Sequence, residues 1–218
     1  MQMIRRSKDF IRKSAPWMIL AYHDIAGNIH MKRSKRRVLQ LLRSGNPLWL
    51  DLGGGDSPRQ GWLSVDLTPN CDIYWNLARG LPFPSASVDR IYSSHLLEHL
   101  TFDQGEALLL ECKRVLKPGG EISVCVPNAQ LFVQAYLGSV NLPRHMFGGT
   151  DAYFETTAID SLNYVAYMGE HHKYMFDQEN LNHRLDAAGF HSVGTRSFDG
   201  SVDLESRREE SIYANGFA

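Results

Sequence analysis

The amino-acid sequence predicts an α/β fold built around a mostly parallel sheet. Two short apolar runs, residues 48–52 and 62–65, each have the length of one buried strand. A turn of adjacent glycines, residues 53–55, follows the first run, and Asp66 ends the second. A strand, a glycine turn, a second strand and an acid in this order are typical of the nucleotide-binding half of a Rossmann-like sheet.

The bulk composition is that of one domain in a reducing compartment. A chain of 218 residues is long enough to bury a substantial core without disulfides. Cys71, Cys112 and Cys125 are an odd number of cysteines without the spacing of a disulfide framework or a zinc site. The apolar run at residues 17–22 is too short to span a bilayer, and no clean signal-peptide cleavage site follows it. We therefore expect a cytoplasmic protein without a transmembrane segment.

The net charge of −1 conceals an asymmetry. Residues 1–47 hold eleven Lys and Arg against two Asp, a balance of +9, whereas the remainder holds twelve basic and 22 acidic residues, a balance of −10. A basic segment on an acidic body suits an anionic membrane surface, a phosphorylated partner or nucleic acid. A solvated helix that packs on its own acidic body explains the same pattern, so both interpretations stay open.

The N-terminal segment predicts two basic helices, over residues 4–13 and 31–43, separated by the apolar stretch at 17–22. In the second helix, three apolar residues recur at the spacing of one buried helix face, namely Val38, Leu41 and Leu42. The turn-forming residues 44–47 then end this helix before the first strand.

The residues around the glycine turn indicate the kind of ligand. Asp56 or Ser57 can cap a helix whose first residue is Pro58. The dinucleotide fingerprint needs a glycine where Pro58 stands and an acid about 20 residues on, and Asp66 comes too early for it. Asp51 and Asp56 flank the turn, and their charges repel a pyrophosphate. The turn therefore favours the cationic S-adenosylmethionine, with its ribose on Asp66, and disfavours a nicotinamide oxidoreductase.

The middle of the chain alternates strands and helices. A third strand is predicted over residues 71–75 and a fourth over 88–94. The capping-box sequence at 101–104 begins a helix, and residues 117–120 end it. Apolar side chains alternate in the fifth strand, residues 122–126.

The last third begins with residues 129–170, which show no clear period. Their position after the fifth strand predicts a partly helical lid over the acceptor. Asp177 then caps a helix that ends at Gly189. A strand over 191–198 and a returning antiparallel strand over 210–217 complete the chain.

Several blocks of this sequence resemble the class I S-adenosylmethionine-dependent methyltransferases of type 11. The blocks are Asp-Leu-Gly-Gly-Gly at 51–55, Leu-Pro-Phe-Pro at 81–84, Ser-Val-Asp at 87–89, Glu-His-Leu at 98–100 and Arg-Val-Leu-Lys-Pro-Gly-Gly at 114–120. They lie in the expected order and spacing. The resemblance covers residues 46–128 well and 171–217 more loosely.

The resemblance implies a seven-stranded, mostly parallel Rossmann-like sheet with helices on both faces, an antiparallel last strand and a helical N-terminal extension. The chain then forms a single domain over 1–218, with a basic extension (1–46), a cofactor-binding core (47–128), an acceptor-side insert (129–176) and a C-terminal helix and hairpin (177–218). The implied cofactor is S-adenosylmethionine, with S-adenosylhomocysteine as product. The implied cofactor-binding residues are Asp51, Gly53, Gly54, Gly55, Asp66, Leu67, Asn76, Leu77, Ser94 and His95.

The resemblance places an acceptor near the histidines of the second half. Transfer to a hydroxyl needs a base, for which histidine is suited at neutral pH. The candidates are His99, His171 and His172, with His145 beside Arg144 as a weaker anion-holding pair. We expect transfer to oxygen of a small-molecule or glycosidic acceptor and not to nucleic acid. The alternative is a non-catalytic cofactor binder that docks a partner through its basic N-terminus.

The sequence His95-Leu-Leu-Glu-His99 matches the H-x-x-E-H pattern of a class of zinc proteases. Such a protease carries this pattern on a long helix and has a further ligand downstream. Here it directly follows a predicted strand and is in register with the methyltransferase blocks, so we expect no metal.

Overall fold

A computed structural model describes the backbone of residues 16–55, 59–68, 70–143 and 157–218, and side chains from residue 29 onward within those ranges. Seven strands form one sheet in the order β3-β2-β1-β4-β5-β7-β6. The strands are β1 Trp49–Leu52, β2 Leu63–Asp66, β3 Ile73–Tyr74, β4 Val88–Ser94, β5 Leu116–Pro127, β6 His191–Thr195 and β7 Ser211–Phe217. β7 pairs antiparallel with β5 and β6, whereas the other pairs are parallel. The predicted fold class is confirmed.

Five α-helices accompany the sheet in the described part of the chain. They are α1 Pro16–Ser44, α2 Phe102–Val115, α3 Ala129–Tyr136, α4 Ile159–Tyr167 and α5 Gln178–Ala187. Short 3-10 turns lie at Leu77–Arg79, Leu97–His99 and Glu205–Arg207. Of the helices described, none is both long enough and apolar enough to cross a membrane.

The N-terminal prediction is partly wrong. Residues 17–22 lie inside the single helix α1 instead of separating two helices, because no helix-breaking residue follows Pro16 until Gly27. The predicted face is confirmed, since Val38 is buried and Leu41 and Leu42 pack against the core. The predicted helix at 4–13 lies outside the described residues.

The connection between β1 and β2 also differs from the prediction. The residues proposed to begin a helix, 56–58, lie outside the described part, but residues 59–62 form a turn and not a helix. Only the seven residues 56–62 separate Gly55 from β2. The chain must return along β1 within this length to start the parallel strand β2, so the connection is too short for a stable helix.

The capping box of α2 is confirmed, with Thr101 Oγ1 accepting from the Gln104 N–H. The helix ends before Lys117 as predicted, at Val115, but β5 begins at once with Leu116 and not at Ile122. Pairing explains the earlier start, since the Gly119 N–H donates to the carbonyl of Ala218 at 2.8 Å. Residues 117–120 therefore belong to the beginning of a central strand, where the register with β4 is irregular.

The two faces of the sheet differ in chemistry. Leu50, Ile91 and Ile122 are neighbours across three strands and belong to the core that also contains Leu108 of α2 and Leu185 of α5. The opposite face carries polar and aromatic residues at matching positions, namely Asp51, Tyr92, Ser123 and Asn215. Burial therefore stabilises one face by apolar contact and the other by hydrogen bonds.

Asp203 is the centre of the polar face. Its carboxylate receives two hydrogen bonds from Arg196, at 2.5 and 2.7 Å, and one from the Tyr92 hydroxyl at 2.8 Å. The Asp199 N–H adds a fourth at 2.7 Å. Burial alone raises the pKa of Asp203, but the hydrogen bonds from Arg196 and Asp199 outweigh it and hold this pKa below its usual value.

The exchange Asp203→Asn should therefore destabilise the fold by about 3 kcal/mol, the lower end for breaking a buried ion pair, because it leaves the Arg196 charge uncompensated. Urea unfolding at pH 7 measures the change, and Asp186→Asn on exposed α5 surface is the control. The deficit should shrink as the pH falls below about 4, where an aspartate of the unfolded chain takes up a proton, and should vanish at the lower pH that also protonates the folded carboxylate. Equal stability of the two variants would contradict this account.

Candidate functional site

The glycine turn lies at the carboxyl ends of β1 and β2, where ligands bind in open α/β sheets. Gly53 and Gly55 have φ of +74° and +61°, a backbone region that side chains disfavour. The Gly55 N–H donates to Asp66 Oδ2 at 2.9 Å, and the Leu67 N–H donates to Asp66 Oδ1 at 2.5 Å. Asp66 thus holds the turn, and because a carboxylate has about four acceptor positions, two remain for the hydroxyls of a ribose.

The turn has no room for side chains at two positions. A Cβ on Gly54 would lie 2.9 Å from the Asp51 carboxyl carbon, and one on Gly53 would lie 3.1 Å from the side chain of Leu96. The backbone of the turn therefore packs directly against the side chains of Asp51 and Leu96. The contact with Leu96 also joins the crevice to the end of β4.

Asp51 is buried, with 2% of its surface exposed. Burial raises its pKa to about 6, although the nearby guanidinium of Arg59, with Nε 3.1 Å from Oδ2, acts in the opposite direction. Arg59 also lies 4.3 Å from the ring of Tyr92. Arg59 offsets part of the Asp51 charge, so a phosphate is repelled less at this turn than the sequence predicts. A surface arginine in a turn of unknown shape carries no signal of such a contact in the sequence.

Asn76 and Leu77 begin the short turn after β3. Asn76 Oδ1 accepts from the Ala78 N–H at 3.0 Å and caps this turn. Leu77 is buried in the main core, whereas Leu67 is half exposed beside Asp66.

Ser94 and His95 end β4. The Ser94 hydroxyl accepts from Arg207 at 3.3 Å, and His95 Nε2 lies 2.8 Å from the Ser211 hydroxyl. Burial, reinforced by the charge of Arg207, lowers the pKa of His95 to about 3, so its imidazole is neutral. His95 lines a cavity beyond the end of β4.

That cavity has a volume of about 310 Å³ and lies beyond the end of β4. Its walls come from the 97–99 turn, from α3 and α4, and from residues 206–210. His99 and His172 line it. His171 is exposed and does not line it. Of the three predicted catalytic histidines, the structure therefore brings two together; His145 and Arg144 lie outside the described residues.

Backbone carbonyls fix the rings of His99 and His172. His99 Nδ1 lies 3.0 Å from the carbonyl of His171, and His172 Nδ1 lies 2.8 Å from that of Val165. A carbonyl only accepts, so each ring carries its proton on Nδ1 and keeps a lone pair on Nε2. Burial lowers the pKa of both histidines, which keeps these lone pairs available at neutral pH.

Glu98 lines the same cavity and was not among the predicted site residues. It is 2% exposed, and both of its carboxylate oxygens are buried without a hydrogen-bond partner. Burial raises its pKa to about 8. Oε1 lies 3.8 Å from His95 Nδ1 and 3.9 Å from His99 Nε2. The only available signal was the H-x-x-E-H spacing.

Comparisons with known proteins agree with this geometry. A family model described as "Methyltransferase domain" matches residues 63–124. A probable S-adenosylmethionine-dependent methyltransferase of Mycolicibacterium smegmatis is 46% identical over 65 residues, which cover 29% of this chain and 24% of that protein. A crystal structure of an Archaeoglobus fulgidus S-adenosylmethionine-dependent methyltransferase is 15% identical with a TM-score of 0.50, over 93% of this chain and 100% of that one.

These findings confirm the resemblance seen in the sequence: residues 63–124 match a methyltransferase domain, and the chain shares the fold of an S-adenosylmethionine-dependent methyltransferase. The alignment spans about a quarter of the Mycolicibacterium protein. The family match begins at β2, so the glycine turn lies just before it.

We expect Asp66→Ala to weaken binding of S-adenosylhomocysteine by roughly 1–3 kcal/mol, because hydrogen bonds to a charged group are lost. Isothermal titration calorimetry measures the affinity. Asp103→Ala, an exposed acid in α2, is the matched control and should bind like the wild type. Unchanged affinity in the Asp66 variant would remove this residue from the site.

Proposed function

We propose that this protein transfers the methyl group of S-adenosylmethionine to an oxygen of a small-molecule or glycosidic acceptor. The observation that carries the proposal is the pair of neutral imidazoles, His99 and His172, which line one cavity and keep a lone pair on Nε2 because Nδ1 donates to a backbone carbonyl. The volume of about 310 Å³ falls at the lower end of small-molecule sites.

The crevice and the cavity are neighbours in the fold. β1 and β4 pair directly, with Leu52 beside Ser93, so the glycine turn and the end of β4 meet at one edge of the sheet. Leu96 lies against Gly53 and is followed by the turn that carries His99. This arrangement supports the cofactor and the acceptor being held side by side, which is the main requirement for a displacement at carbon.

S-adenosylmethionine supplies an activated methyl group when bound and leaves as S-adenosylhomocysteine. The protein's part is to hold the crevice open through Asp66, to orient the acceptor and to remove its proton. Nε2 of His99 or His172 accepts the hydroxyl proton as the oxygen bonds to the methyl carbon, and the proton passes to solvent afterwards. Phe132 of α3 and Val165 of α4 line the same cavity, which supports the acceptor role proposed for the 129–176 insert.

The basic N-terminal segment is proposed to contact an anionic partner or membrane surface. Along the described part of α1 the basic side chains are exposed, namely Lys32, Arg33, Lys35, Arg36, Arg37 and Arg43. A cytoplasmic location belongs to the same proposal and is supported by three free cysteines, of which Cys112 and Cys125 are buried.

The activity test is labelled-methyl transfer from S-adenosylmethionine to a panel of metabolites, sugars, lipids and RNA. With the acceptor found, His172→Ala should lower kcat about 100-fold or more, with little change in cofactor affinity. His183→Ala, an exposed histidine of α5, is the control. Cofactor binding without product from any acceptor would instead identify a non-catalytic binder.

The pKa of Asp51 provides a second test. If Asp51 faces the cofactor's ammonium group, affinity for S-adenosylmethionine should rise up to about tenfold between pH 5 and pH 7, as the carboxylate ionises around pH 6. The free energy of unfolding should change in the opposite direction. Because the pKa of Asp51 is raised in the folded state, protonated Asp51 stabilises the fold, and this stabilisation is lost as the pH rises through about 6. Asp51→Asn should flatten both profiles, measured by calorimetry and urea unfolding. An unaltered affinity profile would place the cofactor's ammonium elsewhere.

A further inference from the structure

We propose that Glu98, His99 and His172 form a binding site for a divalent transition-metal ion such as zinc, open to the acceptor cavity. One ligand atom of each residue lies within 4.8 Å of the others. This proposal departs from the expectation drawn from the sequence, because the ligands come from a short turn and from a residue far along the chain.

Glu98 is the first support. A carboxylate that is 2% exposed normally has hydrogen-bond partners, and both oxygens of this one have none. The charge of Arg207 acts on this side chain, but no group in the described residues donates a hydrogen bond to it. A metal ion bound to these oxygens would supply the missing interaction.

The orientation of the two histidines is the second support. Each donates Nδ1–H to a backbone carbonyl, at 3.0 Å for His99 and 2.8 Å for His172, which leaves the lone pair of Nε2 for an ion. Metal-binding histidines almost always show this outer hydrogen bond, because it fixes the tautomer and the ring. The rings of the two histidines lie 4.9 Å apart at 74°, so both can approach one ion without stacking.

The backbone holds the three ligands in register. The carbonyl of Glu98 accepts from the N–H groups of Lys173 and Tyr174, at 2.7 and 3.2 Å. The 97–99 turn is therefore tied to the segment that carries His172. Zinc binds imidazole nitrogen and carboxylate oxygen at about 2.0–2.2 Å, so side-chain movements of about 1 Å would bring the three atoms onto one ion.

The donor set defines the class of ion. Two imidazoles and one carboxylate suit zinc, iron(II) or cobalt(II) and not calcium or magnesium, which prefer oxygen ligands. Three protein ligands leave a coordination position directed to the cavity, as in catalytic sites. Arg207 lines the same cavity, but its Nη1 is directed to Ser94 at 3.3 Å. His95 Nε2 is engaged by Ser211, so His95 is not needed as a ligand.

The role of the ion rests on the proposed function. An acceptor oxygen at the open position would have its hydroxyl pKa lowered by the metal, in place of proton removal by a free imidazole. Metal binding itself does not depend on that role, so the two can be tested separately.

The experiment uses the tag-free full chain, stripped with a chelator and then titrated with zinc chloride. We expect one zinc per chain by elemental analysis, a rise in melting temperature with zinc, and visible absorption bands when cobalt(II) replaces zinc. His172→Ala and Glu98→Gln should each weaken zinc binding about 100-fold or more, whereas His183→Ala should not change it.

Glu98→Gln replaces a buried acid that has no hydrogen-bond partner by a neutral amide of the same shape, so the variant should fold as well as the wild type. It therefore keeps the test decisive if His172→Ala is unstable. Wild-type affinity in both variants, or no zinc bound by the stripped wild type, would overturn the proposal. Calorimetry with S-adenosylhomocysteine is run in parallel. Zinc binding without cofactor binding would reject the proposed function alone, and cofactor binding without zinc would reject this site alone.

Discussion

The double hydrogen bond at the carbonyl of Glu98 is the contact on which the site geometry depends. It joins the end of β4, in the first half of the chain, to the segment before α5, in the second half. Without it, His172 would not face His99, and the cavity would lose one wall. The contact uses backbone atoms, so it sets the position of the functional side chains without consuming any of their polar groups.

Much of the fold could be predicted because local signals and burial agree along this chain. The apolar runs of β1 and β2, the capping box of α2 and the cap at Asp177 each specify a local structure that the sheet then uses. The N-terminal helix was misread since an aromatic stretch alone does not interrupt a helix. The start of β5 was misread because pairing with Ala218 overrides the usual meaning of adjacent glycines.

The candidate site was only partly predictable, for a physical reason. Asp66 and the glycine turn are close in sequence, so their spacing carries information about their contact. Arg59 meets Asp51 across a turn, and Glu98 meets His172 through tertiary structure, and no local pattern encodes either distance. The H-x-x-E-H spacing marked the region of Glu98, but its position directly after β4, where the chain forms a 3-10 turn, led to the expectation of no metal.

The contrast between the two faces of the sheet has an evolutionary consequence. Aliphatic side chains such as Leu50 and Ile122 can exchange for one another with small repacking, so diverging descendants can drift at these positions one at a time. Arg196, Asp203 and Tyr92 are hydrogen-bonded to one another, so the replacement of any one leaves the other two without a partner. The residues of the apolar face can therefore change one at a time during evolution, whereas those of the polar face must change together.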